Sequence, residues 1–455
     1  MNSIWKIRWI LMTGFALGWM PGQATAQMMM EMASPAISIE LLRSQALELE
    51  KKGNWEAALQ AYFQLSQLDK SNVELHDKMN LALRHVLQGR RHRDRSFQEK
   101  VMSLTAVQAG SLYEEVLDKL QSLYVDRNKS QLSKLFRSGL DELEHALQDR
   151  LFRETYLKDV SSNKVEEFVR RIKEAWLDRD LKSIKEVRLS AATIARVAHQ
   201  QLGLSPNAVI LEFLCGACNS LDEYTAYLSP ADLVDDGDPT EATVIDAAIL
   251  KEGVGYLRIS SFRDSTPDEF DATLNAFKAH MEGMNLKSII IDLRGNLGGD
   301  FQAAVRIAER FVNQGVIAST IGQVIEANKI FTPTPGAPLL PFGLVVLVDG
   351  QTASAAEVLA YALRDHQRAK IIGTPTFGKG SIQKVVYFKT AQETDEQGKP
   401  KNRTGAIRIT LARIFSPNGQ AISGGVTPHI IATERDQQMA TALQEAGQFS
   451  TLMRP

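Results

Sequence analysis

Two stretches of this chain are apolar at every position over the length of a strand. One is Ile289-Ile290-Ile291, closed by Asp292; the other is Leu344-Val345-Val346-Leu347-Val348, closed by Asp349. A strand with one wet face alternates apolar and polar residues, whereas a strand covered on both faces has no reason to. Each run ends in a turn of small residues and then gives way to a segment of helical period. "RGNLGG" leads into "DFQAAVRIAERFV", and "GQTA" leads into "SAAEVLAYALRDH". With "VGYLRI" upstream and "AKIIGT" downstream, strands alternate with helices from about Val254 onward. Strands joined through helices pair in parallel, so this part reads as an α/β core with a parallel or mixed sheet.

The chain before that point has a different grain. "LYEEVLDKLQSLYV" and "NKVEEFVRRIKEAWL" place apolar residues at i, i+3, i+4 and i+7, so residues 96–235 read as an all-α domain. Residues 36–95 read as a tetratricopeptide-like helical hairpin, with Gly53 at its turn and Trp55, Ala58 and Tyr62 at helical spacing. One such unit cannot bury its apolar face alone, so it serves either as a docking element or as a structural cap. The basic run "RHVLQGRRHRDR" (84–95) reads as a solvated helix end or linker. Residues 235–239, "DDGDP", read as an acidic linker, and "AQETDEQGKPKNRTG" (391–405) as a polar hairpin loop. The remaining boundaries are 236–435 for the core and 436–455 for a C-terminal helical tail.

Lys6 and Arg8 precede an apolar run from Trp9 to Met20; Pro21 and Gly22 break it, and Ala24-Thr25-Ala26 stands before Gln27. This is the pattern of a secretory signal peptide (1–26), followed by a Met-rich linker (27–35), and it implies an exported, periplasmic or secreted, protein. The run is shorter than the roughly 20 residues that span a bilayer. The net charge of −2 gives no sign of a nucleic-acid partner. Cys215 and Cys218 form C-x-x-C inside the apolar helix "NAVILEFLCGACNSL", with no further metal-ligating residue close in sequence, so they read as small buried hydrophobes. No cofactor or metal is expected.

"GTPTFGKG" (373–380) almost spells a phosphate-binding loop, but Gly380 replaces the required Ser or Thr and a β-branched strand follows instead of a helix. Lys379 therefore needs another task. Ser354 stands where the buried strand Leu344–Val348 turns into a helix, close to backbone amides that suit an oxyanion. Ser354-Ala355-Ala356-Glu357 is also a capping box, and on local grounds both readings stand. Loops at the carboxyl ends of neighbouring parallel strands meet, so the loop carrying Lys379 can lie beside Ser354. A lysine enclosed by small and apolar groups loses its charge more easily and can take a hydroxyl proton. Asp292 and Arg294 close the other buried strand, with Glu357 as an expected partner for Arg294. Gly298 or Gly299, with Ala355, could offer amides to an oxyanion. No histidine sits in a glycine turn beside Ser354, so a Ser–His–Asp triad is the weaker arrangement.

These segments resemble the C-terminal processing peptidases, or tail-specific proteases, over roughly 180 residues from Val254 to about Ile431. "VGYLRISSF", "IIIDLRGNLGG", "VVLVDGQTASAAEVLAYALRDHQRAKIIGTPTFGKGSIQ" and "AIRITLARIFSPNGQAISGGVTPHI" carry the likeness, with "SLDEYTAYLSP" upstream. The resemblance implies a crotonase-like spiral α/β core and a serine peptidase using a Ser–Lys dyad. It makes Ser354 the nucleophile, Lys379 the general base and Gln383 its support. Ala355 and Gly298 or Gly299 become the oxyanion hole, and Asp292, Arg294, Glu357 and Asp365 become supporting residues. Substrates would be proteins or peptides cut near their C-termini. The long helical region and the hairpin are additions to the family's pattern that could shield the site or choose partners, such as an adaptor protein. Family members usually carry a PDZ domain between "YLSP" and "VGY"; the 23 residues here leave no room for one. "GNLGG" also replaces the common Asn-Pro-Gly-Gly ending. Two rival readings are a catalytically silent protease fold acting as an adaptor, and an acyl-CoA enzyme on a related spiral fold.

Overall fold

A computed structural model describes residues 35–69, 72–233, 241–250, 253–280, 286–336, 339–390, 393–394, 400–401 and 404–452. The expected signal peptide, the Met-rich linker up to residue 34 and the acidic linker 235–239 lie outside the described residues. The chain forms two units interleaved in sequence: residues 1–237 with 384–409, and residues 238–383 with 410–455.

The first unit is largely helical. Helices α1 (Pro35–Lys51) and α2 (Trp55–Leu68) form a hairpin, and α3 (Val73–Arg93) packs against α2. Gly53 makes the turn with φ +69°, and the Asn54 side chain caps α2 by accepting the Ala57 N–H. Ala46, Ala58, Tyr62, Leu65, Met79 and Ala82 form the shared core. There follow α4 (Ala106–Leu123), α5 (Leu132–Gln148), α6 (Arg150–Tyr156), α7 (Ser162–Trp176), α8 (Ile184–Leu202) and α9 (Pro206–Asn219). Every residue of α9 from Asn207 to Cys218 is buried. It crosses α5 at Gly139 and Gly216, where a Cβ on either would meet the other helix at 2.4 Å. Strand β1 (Ala226–Leu228) closes the α-helical run.

The basic run keeps its expected solvated end at Arg93 and Arg95, but its middle does not follow the expectation. Gln88, Arg91 and His92 are buried, and Arg91 pairs with Glu212 at 2.7 Å while His92 Nε2 meets the same carboxylate at 2.9 Å. The cause is the pair of buried acids, Glu142 on α5 and Glu212 on α9, which need cations that α3 supplies. Cys215 and Cys218 are free and buried, and burial pushes both thiols well above their ordinary range.

The second unit is built on a six-stranded sheet in the order β13-β8-β7-β4-β3-β2. Its strands are β2 (Val244–Ile249), β3 (Val254–Ile259), β4 (Ser288–Asp292), β7 (Gly343–Val348), β8 (Ala369–Gly373) and β13 (Ile430–Ile431). All neighbours are parallel except β2, which runs antiparallel to β3. Helices α10 (Thr266–His280), α11 (Phe301–Ala308) and α12 (Ala355–Asp365) share a core with one face, against Ile289, Ile291, Leu344, Val346, Val348 and Ile371. The intervening residues Ile290, Val345, Leu347 and Ile372 face Ala442 and Ala446 of α13 (Arg435–Leu452). Both faces are thus covered, which is why β4 and β7 show no alternation. The C-terminal helix is a structural layer of the sheet, and not a tail.

A further antiparallel group comprises β5 (Ala318–Gly322), β6 (Lys329–Phe331) and β12 (Ala406–Phe415), with β9 (Ser381–Tyr387) also on β12. β5 pairs with residues 412–415 of β12, while residues 406–408 pair with β1 in the first unit. In the 391–405 segment, β10 (Glu393–Thr394) and β11 (Pro400–Lys401) pair antiparallel; 391–392, 395–399 and 402–403 lie outside the described residues. Among the described residues no helix is long and apolar enough to cross a membrane.

Candidate active site

Three neighbouring parallel strands, β4, β7 and β8, deliver three loops to one end of the sheet: 293–300, 349–354 and 374–380. Backbone bonds sew them together. The Leu293 N–H donates to Leu347 O at 2.9 Å, Thr374 N–H to Val348 O at 3.3 Å, Ala353 N–H to Asn296 O at 2.9 Å and Phe377 N–H to Thr352 O at 3.0 Å. The Asp349 side chain, which nothing in the sequence marked, accepts the N–H groups of Gly295, Gln351 and Thr352 on Oδ1.

Ser354 ends the second loop at φ +57°, ψ −117°, a conformation that costs a non-glycine residue about 1–3 kcal/mol and is kept only where the surroundings dictate it. The capping-box arrangement is present: Glu357 Oε2 accepts the Ser354 N–H at 2.8 Å, and the Glu357 N–H faces the Ser354 side chain while donating to the Ser354 carbonyl at 2.9 Å. In a capping box the serine oxygen acts as an acceptor, so this role does not use the hydroxyl proton.

Glu357 does more than cap. Its carboxylate is fully buried; Oε2 also accepts the Lys379 N–H at 2.8 Å, while Oε1 accepts Gly378 N–H at 2.7 Å and the Thr376 hydroxyl at 2.5 Å. The backbone nitrogens of Ser354 and Lys379 each lie 2.8 Å from one oxygen, so they are at most twice that distance apart. Burial pushes the Glu357 carboxyl above its ordinary value, against the pull of its four donors. Lys379 is 8 % exposed. Its loop is pressed against residues 422–425: a Cβ on Gly378 would meet Ser423 O at 2.5 Å, and one on Gly380 would meet Ser423 N at 2.5 Å.

Ala355 is the first residue of α12, so its N–H has no carbonyl within the helix. Gly298 lies directly beside it; a Cβ there would come within 2.7 Å of Ser354 Cβ and 2.9 Å of Ala355 N. The Gly298 N–H donates to Asn296 Oδ1 at 2.8 Å, whereas the Gly299 N–H has no hydrogen-bond partner among the described residues.

The other expected residues fall elsewhere. Arg294 does not pair with Glu357. It binds Asp292, with Nη2 to Oδ2 at 2.6 Å, and donates to Gln438 Oε1 of α13 at 2.9 Å; the Tyr256 hydroxyl donates to Asp292 Oδ2. The two charges closing β4 neutralise each other, which leaves Glu357 to the amides of its own loops. Gln383 Nε2 donates to Ser381 Oγ at 2.8 Å and Thr410 Oγ1 at 3.4 Å; no bond to Lys379 is among them. Asp365 ends α12, eleven residues after Ser354 and so about 16 Å along the axis, where it pairs with Arg364. The structure does not bring it to the hydroxyl. His366 is beyond it, with Nε2 on Val316 O. Among the described residues no group of three His, Cys, Asp or Glu could hold a metal ion.

The model of peptidase family S41 matches residues 253–432. Those residues are a peptidase family S41 domain. The chain is 35% identical over 182 residues to a carboxy-terminal-processing protease of Bartonella bacilliformis, covering 40% of this chain and 39% of that protein. A carboxyl-terminal-processing protease of Picosynechococcus is 38% identical over 136 residues, 30% of this chain and 31% of its own length. A chloroplastic C-terminal processing peptidase of Tetradesmus obliquus is 34% identical over 197 residues, 42% and 37% of the two chains. The matched region thus spans well under half the length of these relatives. Among solved structures, a photosystem II D1 C-terminal processing protease aligns over 71% of this chain and 92% of its own, at 19% identity and a TM-score of 0.40, too loose a superposition to bear on mechanism.

Proposed function

We propose that this protein is an exported serine endopeptidase that cuts protein or peptide chains near their C-termini through a Ser354–Lys379 dyad. One observation carries the reading: a single buried carboxylate oxygen, Glu357 Oε2, holds the backbone amides of both residues, and the lysine is buried. The relatives' names and the signal-like first 26 residues support it.

An extended peptide pairs with an exposed sheet edge. Ser354 Oγ attacks the scissile carbonyl carbon as its proton passes to Lys379 Nζ. The tetrahedral oxyanion takes the N–H groups of Ala355 and Gly299. Lys379 then protonates the leaving amine, the C–N bond breaks and an acyl-serine remains. Water gives a proton to Lys379 Nζ and attacks the ester; the acyl–Oγ bond breaks, Ser354 Oγ takes that proton from Lys379, and the new carboxyl terminus leaves. Gln383 braces the start of β9, the strand that follows the lysine's loop, through the hydroxyls of Ser381 and Thr410. The N-terminal hairpin, tetratricopeptide-like in its sequence pattern, is a docking element for an adaptor protein, and substrate termini are chosen without a PDZ domain.

Hydrolysis of an unfolded exported protein, followed by mass spectrometry, tests this. Wild type should yield C-terminally shortened products, and Ser354→Ala and Lys379→Ala should yield none. Equal turnover by the three proteins, with each folded by circular dichroism, refutes the dyad.

A further inference from the structure

Asn296 is fully buried and ties three segments together. Its Nδ2 donates to Ile259 O at the end of β3 at 2.9 Å, and its Oδ1 accepts the Gly298 N–H at 2.8 Å. Its backbone carbonyl accepts the N–H of Ala353, the residue before Ser354, at 2.9 Å. The side-chain orientation is forced, because one end faces a carbonyl and the other an N–H; reversing the amide would break both bonds.

The turn it holds needs such a restraint. Gly298 and Gly299 have φ +97° and +135°. Neither tolerates a side chain, since a Cβ on Gly298 would strike Ser354 and Ala355, and one on Gly299 would lie 2.0 Å from Phe262 O. Two successive glycines leave the intervening peptide plane free to turn over unless outside bonds fix it. Phe262 N–H fixes one side by donating to Gly298 O at 2.9 Å, which directs the Gly299 N–H away from Phe262 because the groups of a trans peptide point oppositely. Asn296 Oδ1 fixes the preceding plane.

We propose that Asn296 is the positioning residue of the oxyanion turn: it withdraws the Gly298 N–H and sets the Gly299 and Ala355 amides as the two donors to the developing charge. The inference rests on the peptidase reading above. Asn296→Ala removes the bonds to Ile259 O and from the Gly298 N–H, so the plane before Gly298 loses its restraint and Phe262 alone holds the turn.

The test is steady-state hydrolysis of a peptide substrate, with inhibition by the matching peptide aldehyde, which forms an oxyanion on Ser354. Asn296→Ala should lower kcat about 10²-fold with KM changed no more than about twofold, and should weaken the aldehyde in proportion. A kcat within about threefold of wild type, or a loss carried by KM alone, overturns the inference. If Asn296→Ala does not fold, Asn296→Asp decides the matter. Its protonated carboxyl can reproduce both bonds and its ionised form cannot, so activity relative to wild type should fall as pH rises; a flat ratio overturns the role. Wild type lacking any Ser354-dependent hydrolysis overturns the peptidase reading itself, whereas the other failures leave that reading intact.

Discussion

Glu357→Gln removes one acceptor oxygen at nearly constant volume. Glu357 now receives two donors on each oxygen: Ser354 and Lys379 N–H on Oε2, Thr376 hydroxyl and Gly378 N–H on Oε1. Thr376 can rotate its hydroxyl to accept, but the three amides cannot turn, so the glutamine settles with its carbonyl toward Ser354 and Lys379 and its NH2 toward Thr376 and Gly378, which orphans the Gly378 N–H. An unsatisfied buried donor costs about 1–3 kcal/mol. Part of this is offset, because burying the charge already disfavours it, as the raised carboxyl pKa records. A net loss of about 1–2 kcal/mol is expected, which lowers Tm by roughly 2–8 °C in a unit of this size. The amide that loses its acceptor directly precedes Lys379. If the alignment of the lysine absorbs that energy in the transition state, kcat drops roughly 5- to 30-fold. Differential scanning calorimetry and peptide hydrolysis measure the two quantities. A glutamine variant with wild-type Tm and kcat would refute the claim that this carboxylate holds the site together.

Gly298→Ala places a methyl carbon 2.7 Å from Ser354 Cβ and 2.8 Å from Ala353 O at a φ of +97°, where two of the three nearest atoms are backbone. Peptide hydrolysis should fall by about 10²-fold or more while far-ultraviolet circular dichroism stays unchanged; retained turnover would show the turn to be slack. In the helical unit, burial raises the Glu212 carboxyl, but the charges of Arg91 and His92 outweigh it and bring its pKa from the ordinary 4.5 to about 2. A depressed carboxylate stabilises the fold above its unfolded pKa and ceases to as pH falls through the folded one. Roughly 3 kcal/mol should therefore vanish between about pH 4.5 and 2. Urea melts across that range should show it, and Glu212→Gln should flatten the slope.

The sheet and its loop cluster are legible because each strand declares itself locally. Unbroken apolar runs say that both faces are covered, and the helical period that follows says the next strand runs parallel. Ser354 is legible for the same reason, since it sits at a strand-to-helix junction. What the sequence conceals is the wiring. The S-x-x-E pattern shows that Glu357 reaches back to Ser354, yet its other three donors come from residues 376–379, brought in by the neighbouring strand. Arg294 looks like the partner of that glutamate only until α13 arrives with Gln438 and Asp292 takes the guanidinium. Asp349 and Asn296 use short side chains to bind nearby backbone, a habit shared by countless turn residues without function. The basic run misleads because a buried cation announces itself only through the acid that meets it, and Glu212 lies 121 residues from Arg91.

The interleaving of the two units has a practical corollary. The second unit leaves its own boundary after Gln383 and returns at Thr410, so no single cut releases it. A fragment beginning at Asp238 would carry Ala406 without Ala226 and Leu228, the companions that bury it, and would leave the first half of β12 with unfilled hydrogen-bonding positions. Such a fragment invites aggregation through its bare edge. A stable form of the second unit is therefore to be sought with residues 384–409 kept beside the helical segments they pack with.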